Sequence, residues 1–154
     1  MAAAVEARLL ADGRAAYVLD GDNLRHGLNG DLGFSAADRA ENVRRTAEVA
    51  ALMADAGVVA IASLVSPCRA DRTAARAVHD RRGLPFLEVW VSTPLAECER
   101  RDPKGLYARA RAGEIPDFTG IGQPYEEPDS AELEIAPGEP LERAAERVLA
   151  ALRG

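Results

Sequence analysis

Residues 15–27 read Ala-Ala-Tyr-Val-Leu-Asp-Gly-Asp-Asn-Leu-Arg-His-Gly. The apolar run Ala15 to Leu19 suits a buried parallel strand, and Asp20-Gly21-Asp22 ends it. Carboxylates therefore stand at the C-terminal end of a strand, where open α/β sheets bind their ligands. Upstream, Val5, Leu9 and Leu10 recur at helical spacing from Ala2 to Ala11, and Asp12-Gly13 stops that helix. Downstream, Val43, Ala47, Ala50, Ala51 and Ala54 share one face of a helix running from Ser35 or Asp38 to Asp55, closed by Gly57. Val58 to Val65 reads as a strand, Arg69 to Arg81 as a helix and Phe86 to Val91 as a third strand. A short helix follows from Pro94, in its first turn, to Arg100. Glu132 to Ile135 is a last short strand and Pro140 to Leu152 a final amphipathic helix. Between them, Asp102 to Pro128 has scattered Gly and Pro around a helical piece at Leu106 to Ala112, the character of a long functional lid. Strands alternating with helices predict an α/β fold with a parallel sheet and right-handed crossovers.

The bulk properties narrow the partners. A chain of 154 residues, 47% of them hydrophobic, falls in the range of one globular domain. A net charge of −6 supplies no excess of Lys and Arg for nucleic acid or an anionic membrane, so an anionic ligand must meet a local basic cluster. The longest apolar stretches, such as Val58 to Val65, fall far short of the roughly 20 residues that cross a bilayer. The N-terminus lacks the pattern of a secretion signal, so a cytoplasmic protein is expected. Cys68 and Cys98 form no CxxC pair, and with His26 and His79 they make no zinc set. They read as reduced thiols that pack or lie at the surface.

Taken alone, Asp20-Gly21-Asp22-Asn23 is equally well a turn, since Asp, Gly and Asn are turn formers. The continuation shifts the balance. Leu32-Gly33-Phe34-Ser35 and Asp38-Arg39-Ala40-Glu41-Asn42-Val43-Arg44-Arg45 add an aromatic ring, guanidinium groups and an amide on an adjoining helix. A planar purine bearing phosphate oxygens needs such a set: a ring to stack, Arg forks for oxyanions and an amide for a base or sugar edge.

The run DGDNLRHGLNGDLGFSAADRAENVRR resembles the substrate-binding stretch of adenylylsulfate kinases. The likeness continues through SLVSPCRADR, DPKGLYARARAGEIPDFTGI and PYEEP, from about Ala2 to Ile135. Several long motifs in one order are far more specific than a single glycine pattern. The resemblance implies a P-loop-kinase-like fold and ATP-dependent phosphorylation of adenosine 5′-phosphosulfate on its 3′-hydroxyl, with Mg²⁺. It makes Asp20 and Asp22 the acidic pair near the reacting hydroxyl, either of them a candidate Mg²⁺ ligand. Arg25, Phe34, Arg39 and Asn42 would hold the nucleotide, Phe34 against the adenine and the arginines near the phosphosulfate. Lys104 matches a lid lysine that neutralises the transferring phosphoryl group, although an isolated loop lysine is ordinarily solvated. Phe118 and Ile121 belong to the lid segment, Phe118 stacking opposite Phe34. Ser66 matches a serine described in some relatives as a phosphorylated intermediate. At a strand end it is equally a cap for the following helix. Arg44 and Arg45 read as a solvated helix face.

The resemblance also implies an absence. Such kinases begin with a strand leading into GxxxxGK[ST], whose amides and lysine cradle the ATP phosphates. Residues 1–154 contain no such motif, and Met1 to Ala7 have the character of the helix that follows it. The expectation is a kinase domain truncated before its first strand, with two unpaired ladders and an apolar gap in the sheet. Little turnover follows for this chain alone, and ATP affinity suffers more than affinity for adenosine 5′-phosphosulfate. The competing reading is a non-catalytic module that binds that nucleotide. The expected partners are a second copy in a homodimer and a sulfate adenylyltransferase, separate or fused.

Overall fold

Local signals set most element boundaries. In the computed structural model, which describes residues 1–153, the first helix is α1 (Ala2–Ala11) and the first strand β1 (Ala16–Asp20). The stretch after the strand, for which a turn is one of the open readings, is one turn of helix, α2 (Gly21–Arg25). Its cause is Asp20, whose carboxylate accepts from the amides of Asp22 at 3.0 Å and Asn23 at 3.4 Å as an N-cap. Helix α3 (Ala36–Asp55) starts from a full capping box: Ser35 Oγ accepts from Asp38 N at 3.1 Å, and Ser35 N donates to the Asp38 carboxylate at 3.3 Å.

Strand β2 (Val59–Ser63) is shorter than the expected Val58 to Val65, and helix α4 (Arg69–Asp80) falls where the sequence places it. Strand β3 (Val89–Val91) is shorter than the expected Phe86 to Val91. Phe86 packs against α4 instead, edge-on to His79 at 5.1 Å between ring centroids and with the Arg76 guanidinium 4.7 Å from its own. Helix α5 (Leu95–Arg101) is capped by Pro94, which thus stands just outside the helix and not in its first turn. Helix α6 (Leu106–Arg111), strand β4 (Leu133–Ile135) and helix α7 (Leu141–Ala151) complete the chain.

The strands form two parallel ladders. β1 pairs with β2 from Ala16 opposite Val59 to Asp20 opposite Ser63, and β3 pairs with β4 from Val89 opposite Leu133 to Val91 opposite Ile135. Among the described residues no strand pairing joins the ladders to each other. One apolar layer holds them together. Val5 and Leu9 of α1 and Ala145, Val148 and Leu149 of α7 are buried against Ala16, Val59 and Ile61 of the first ladder and Val89 and Leu133 of the second. Leu9 is 1% exposed, and burying a leucine contributes roughly 1.5–3 kcal/mol. A second cluster, Ala47, Ala51 and Val78, packs α3 on α4, and α3 also lies on β2. Glu6 adds a polar tie, its carboxylate accepting from Val18 N at 2.8 Å. Among the described residues no helix is long and apolar enough to cross a membrane.

Candidate functional site

The parallel register places Asp20 beside Ser63, so the residues that follow both strands share one rim. Asp20 caps α2 there, which leaves Asp22 in the first turn pointing to solvent. Lys104 Nζ reaches it at 2.8 Å, both side chains being largely exposed. The lysine is presented by a structured turn: Asp102 accepts from Tyr107 N at 3.2 Å and Ala108 N at 3.0 Å, and Gly105 takes the left-handed conformation. The hydrogen bond from Lys104 and its charge hold the Asp22 carboxyl below the usual range, while Asp22 raises the Lys104 ammonium. Among the described residues no group of three or more His, Cys, Asp or Glu is positioned for a metal. Mg²⁺ suits a smaller set, since it is held by one or two carboxylates with water and substrate phosphates. Asp20 and Asp22, two positions apart on the rim, fit it.

The second wall is built by guanidinium groups. Arg25 donates to the carbonyls of Leu32 at 3.1 Å and Gly33 at 2.8 Å, and its guanidinium lies 4.3 Å from the Phe34 ring centroid. Arg39, from the first turns of α3, donates to Phe34 O at 2.9 Å and, across the fold, to Thr119 Oγ1 and Asp117 O. Burial lowers its pKa, but a guanidinium stays protonated. One arginine thus joins the Phe34 loop to the segment that carries Phe118. Phe118 stands edge-on to Tyr107 at 5.0 Å, and its carbonyl accepts from Ile121 N at 3.0 Å, which folds this segment into a tight turn. Asn42, one turn after Arg39, is buried, with its Oδ1 bonded to Asn29. Arg44 lies along the surface with Glu41, as expected of a solvated face. Arg45 differs: it is 26% exposed and donates to Asp31, Glu41 and Leu28 O, pinning the loop before Phe34.

Ser66 follows β2 on the same rim with a φ of +43°, a conformation that costs a non-glycine residue energy. It does not cap α4. Cys68 occupies the N-cap without a side-chain bond, and the Glu126 carboxylate accepts from Arg69 N at 2.6 Å instead. Arg72 holds this corner by donating to Ser66 O at 2.7 Å, Glu126 O at 2.6 Å and Glu88 Oε1 at 2.8 Å. Neither Arg72 nor Glu126 stood out by spacing, although each lies in a quoted motif, because their pairing joins segments 54 positions apart. Cys68 and Cys98 are both free. A cleft of about 250 Å³ borders this corner, lined by Arg69, Arg72, Arg76, Glu88 and Glu132, and a second of about 210 Å³ lies beside Val91, Ile135 and Leu141.

The structure therefore brings Asp22 to Lys104, and Arg25, Phe34, Arg39 and the segment around Phe118 to one another. Ser66 shares the rim without a hydrogen bond to either acidic residue among those described.

Comparison with known proteins bears on the fold and the family. The family model described as adenylylsulphate kinase matches residues 1–136. The chain is 55% identical over 145 residues to the bifunctional enzyme CysN/CysC of Mycobacterium tuberculosis, covering 94% of this chain and 24% of that protein. It is 58% identical over 135 residues to a probable adenylyl-sulfate kinase of Halalkalibacterium halodurans, covering 86% of this chain and 63% of that one. Among solved structures it superposes on the M. tuberculosis APS kinase CysC in complex with AMPPNP and APS with a TM-score of 0.97 and 54% identity, covering 99% of this chain and 88% of that one. The α/β architecture with parallel strands and flanking helices is thus shared with that kinase, and the chain belongs to the adenylylsulphate kinase family.

Proposed function

We propose that the site serves adenylyl-sulfate kinase chemistry: transfer of the terminal phosphoryl group of ATP to the 3′-hydroxyl of adenosine 5′-phosphosulfate, giving 3′-phosphoadenosine 5′-phosphosulfate in sulfate assimilation. The observation that carries it is the approach of lid Lys104 to Asp22 at the strand end, beside an arginine that already bridges the Phe34 loop and the lid. Asp20 or Asp22 orients the 3′-hydroxyl and takes its proton. Lys104 turns from Asp22 to the transferring phosphoryl group and offsets its charge. Phe34 and Phe118 stack on the two faces of the adenine, and Ile121 lines the lid over it. Arg25 and Arg39 exchange backbone carbonyls for phosphosulfate oxygens, and Asn42 contacts the same nucleotide. Ser66 lines the rim, where direct transfer between substrates requires no phosphoserine. Asp20 or Asp22 would hold Mg²⁺, which would supply charge neutralisation during transfer.

A homodimer and a sulfate adenylyltransferase partner or fusion are proposed with this activity; the bifunctional relative supports the latter. The second reading is a module that binds adenosine 5′-phosphosulfate without turnover. Calorimetric titration with each nucleotide separately tests the proposal. Saturable binding of adenosine 5′-phosphosulfate is expected, and its absence would refute the proposal. ADP release that depends on adenosine 5′-phosphosulfate separates the kinase from the silent module.

A further inference from the structure

The loop between α2 and α3 buries one side chain completely. Asn29 is 0% exposed, its N–H donates to Leu24 O at 2.8 Å, and its Nδ2 donates to Asn42 Oδ1 at 2.9 Å. Its own Oδ1 is buried without a hydrogen-bond partner. A leucine would fill such a position without leaving a polar atom unpaired, so the amide needs a reason beyond packing. The reason lies in its partner. The two ends of an asparagine amide have nearly the same shape, and only a hydrogen bond decides which faces outward. Asn42 is 7% exposed and its main-chain carbonyl already accepts from Thr46 Oγ1 at 2.7 Å. With Asn29 on Oδ1, the Nδ2 donor is the end of the Asn42 amide that has no protein partner among the described residues, on the same helix face as Arg39 one turn earlier.

We infer that Asn29 is a positioning residue that sets the amide of Asn42 with its N–H outward, so that the site selects an acceptor atom of the bound nucleotide. The inference rests on the reading of this site as one for adenosine 5′-phosphosulfate. Arg45, donating to Leu28 O at 3.0 Å beside Asn29, holds the loop itself independently of the amide pair.

The test is titration of adenosine 5′-phosphosulfate into the full chain, Asn29→Leu, Asn42→Ala and the double variant, each checked for a cooperative melting transition. Asn29→Leu alone should weaken binding about tenfold, the equivalent of one hydrogen bond. In the Asn42→Ala background it should change nothing further. An equal loss in both backgrounds would make Asn29 a loop anchor only, and unchanged affinity in the single variant would also overturn the inference. If Asn29→Leu fails to melt cooperatively, Asn29→Ser, too short to reach Asn42, carries the same comparison. An unaltered chain that binds no adenosine 5′-phosphosulfate overturns the reading of the site, and this inference with it. Binding that is intact while the cycle shows no coupling overturns the inference alone.

Discussion

Replacing Arg72 with methionine should both loosen the fold and weaken the nucleotide site, because one guanidinium holds three segments that lie far apart in sequence. Arg72 is 10% exposed and Glu88 19% at the side chain, so the methionine would leave a largely buried carboxylate without its nearest partner. Breaking a buried pair in this way costs about 3–5 kcal/mol. The lower end applies here, since Arg76 Nη2 stands 3.7 Å from the other oxygen of Glu88 and the freed carbonyl of Glu126 can take up water. For a domain of this size about 3 kcal/mol lowers the melting temperature by about 6–12 °C. Arg72→Lys keeps the charge but loses the fork, and roughly half that shift is expected. Ser66 should relax from its φ of +43° once the donor to its carbonyl is gone, weakening adenosine 5′-phosphosulfate binding as well. Differential scanning calorimetry and nucleotide titration measure the two effects. An Arg72→Met chain that melts within 2 °C of the unaltered one, a shift below about 1 kcal/mol, would refute the reasoning.

Four further outcomes follow from the same contacts. The Asp22 carboxyl is held down by Lys104, so its pairing contributes above the ordinary carboxylate range and is lost as pH falls through the lowered value; in Lys104→Met the NMR titration midpoint should rise towards 3.8. Glu41, held at about 2 by hydrogen bonds from Arg44 and then Arg45, should titrate later than a free glutamate, and Arg45→Ala should raise its midpoint. Glu6→Ala leaves Val18 N without its acceptor and should cost about 1–3 kcal/mol in thermal denaturation. Gly120→Ala places a Cβ 2.7 Å from Leu95 Cδ1 at a φ of +89°, and the lid should close poorly, with adenosine 5′-phosphosulfate bound about tenfold more weakly.

What was legible in the sequence follows the range of the forces involved. The end of helix α1 rests on a local signal, Asp12-Gly13, while the start of α3 stays open between Ser35 and Asp38 until the capping box fixes it at Ser35. Helix α2 was missed because Asp20-Gly21-Asp22 serves a turn and a helix N-terminus equally, and only the cap geometry decides between them. Phe86 was read as strand on apolar character alone, while its ring is drawn to Arg76 and His79 on α4. The proposed site residues rest on a family resemblance to quoted motifs. Their supports were not, because Asn29 to Asn42 and Arg72 to Glu126 are contacts of the folded chain with no periodic signature.

The most direct test of the central claim is a crystal structure of this chain with adenosine 5′-phosphosulfate. The account predicts the adenine between Phe34 and Phe118, the phosphosulfate oxygens on Arg25 and Arg39, and the 3′-hydroxyl turned towards Asp20 and Asp22. A nucleotide bound instead in the cleft beside Arg69, Arg76 and Glu132 would contradict it.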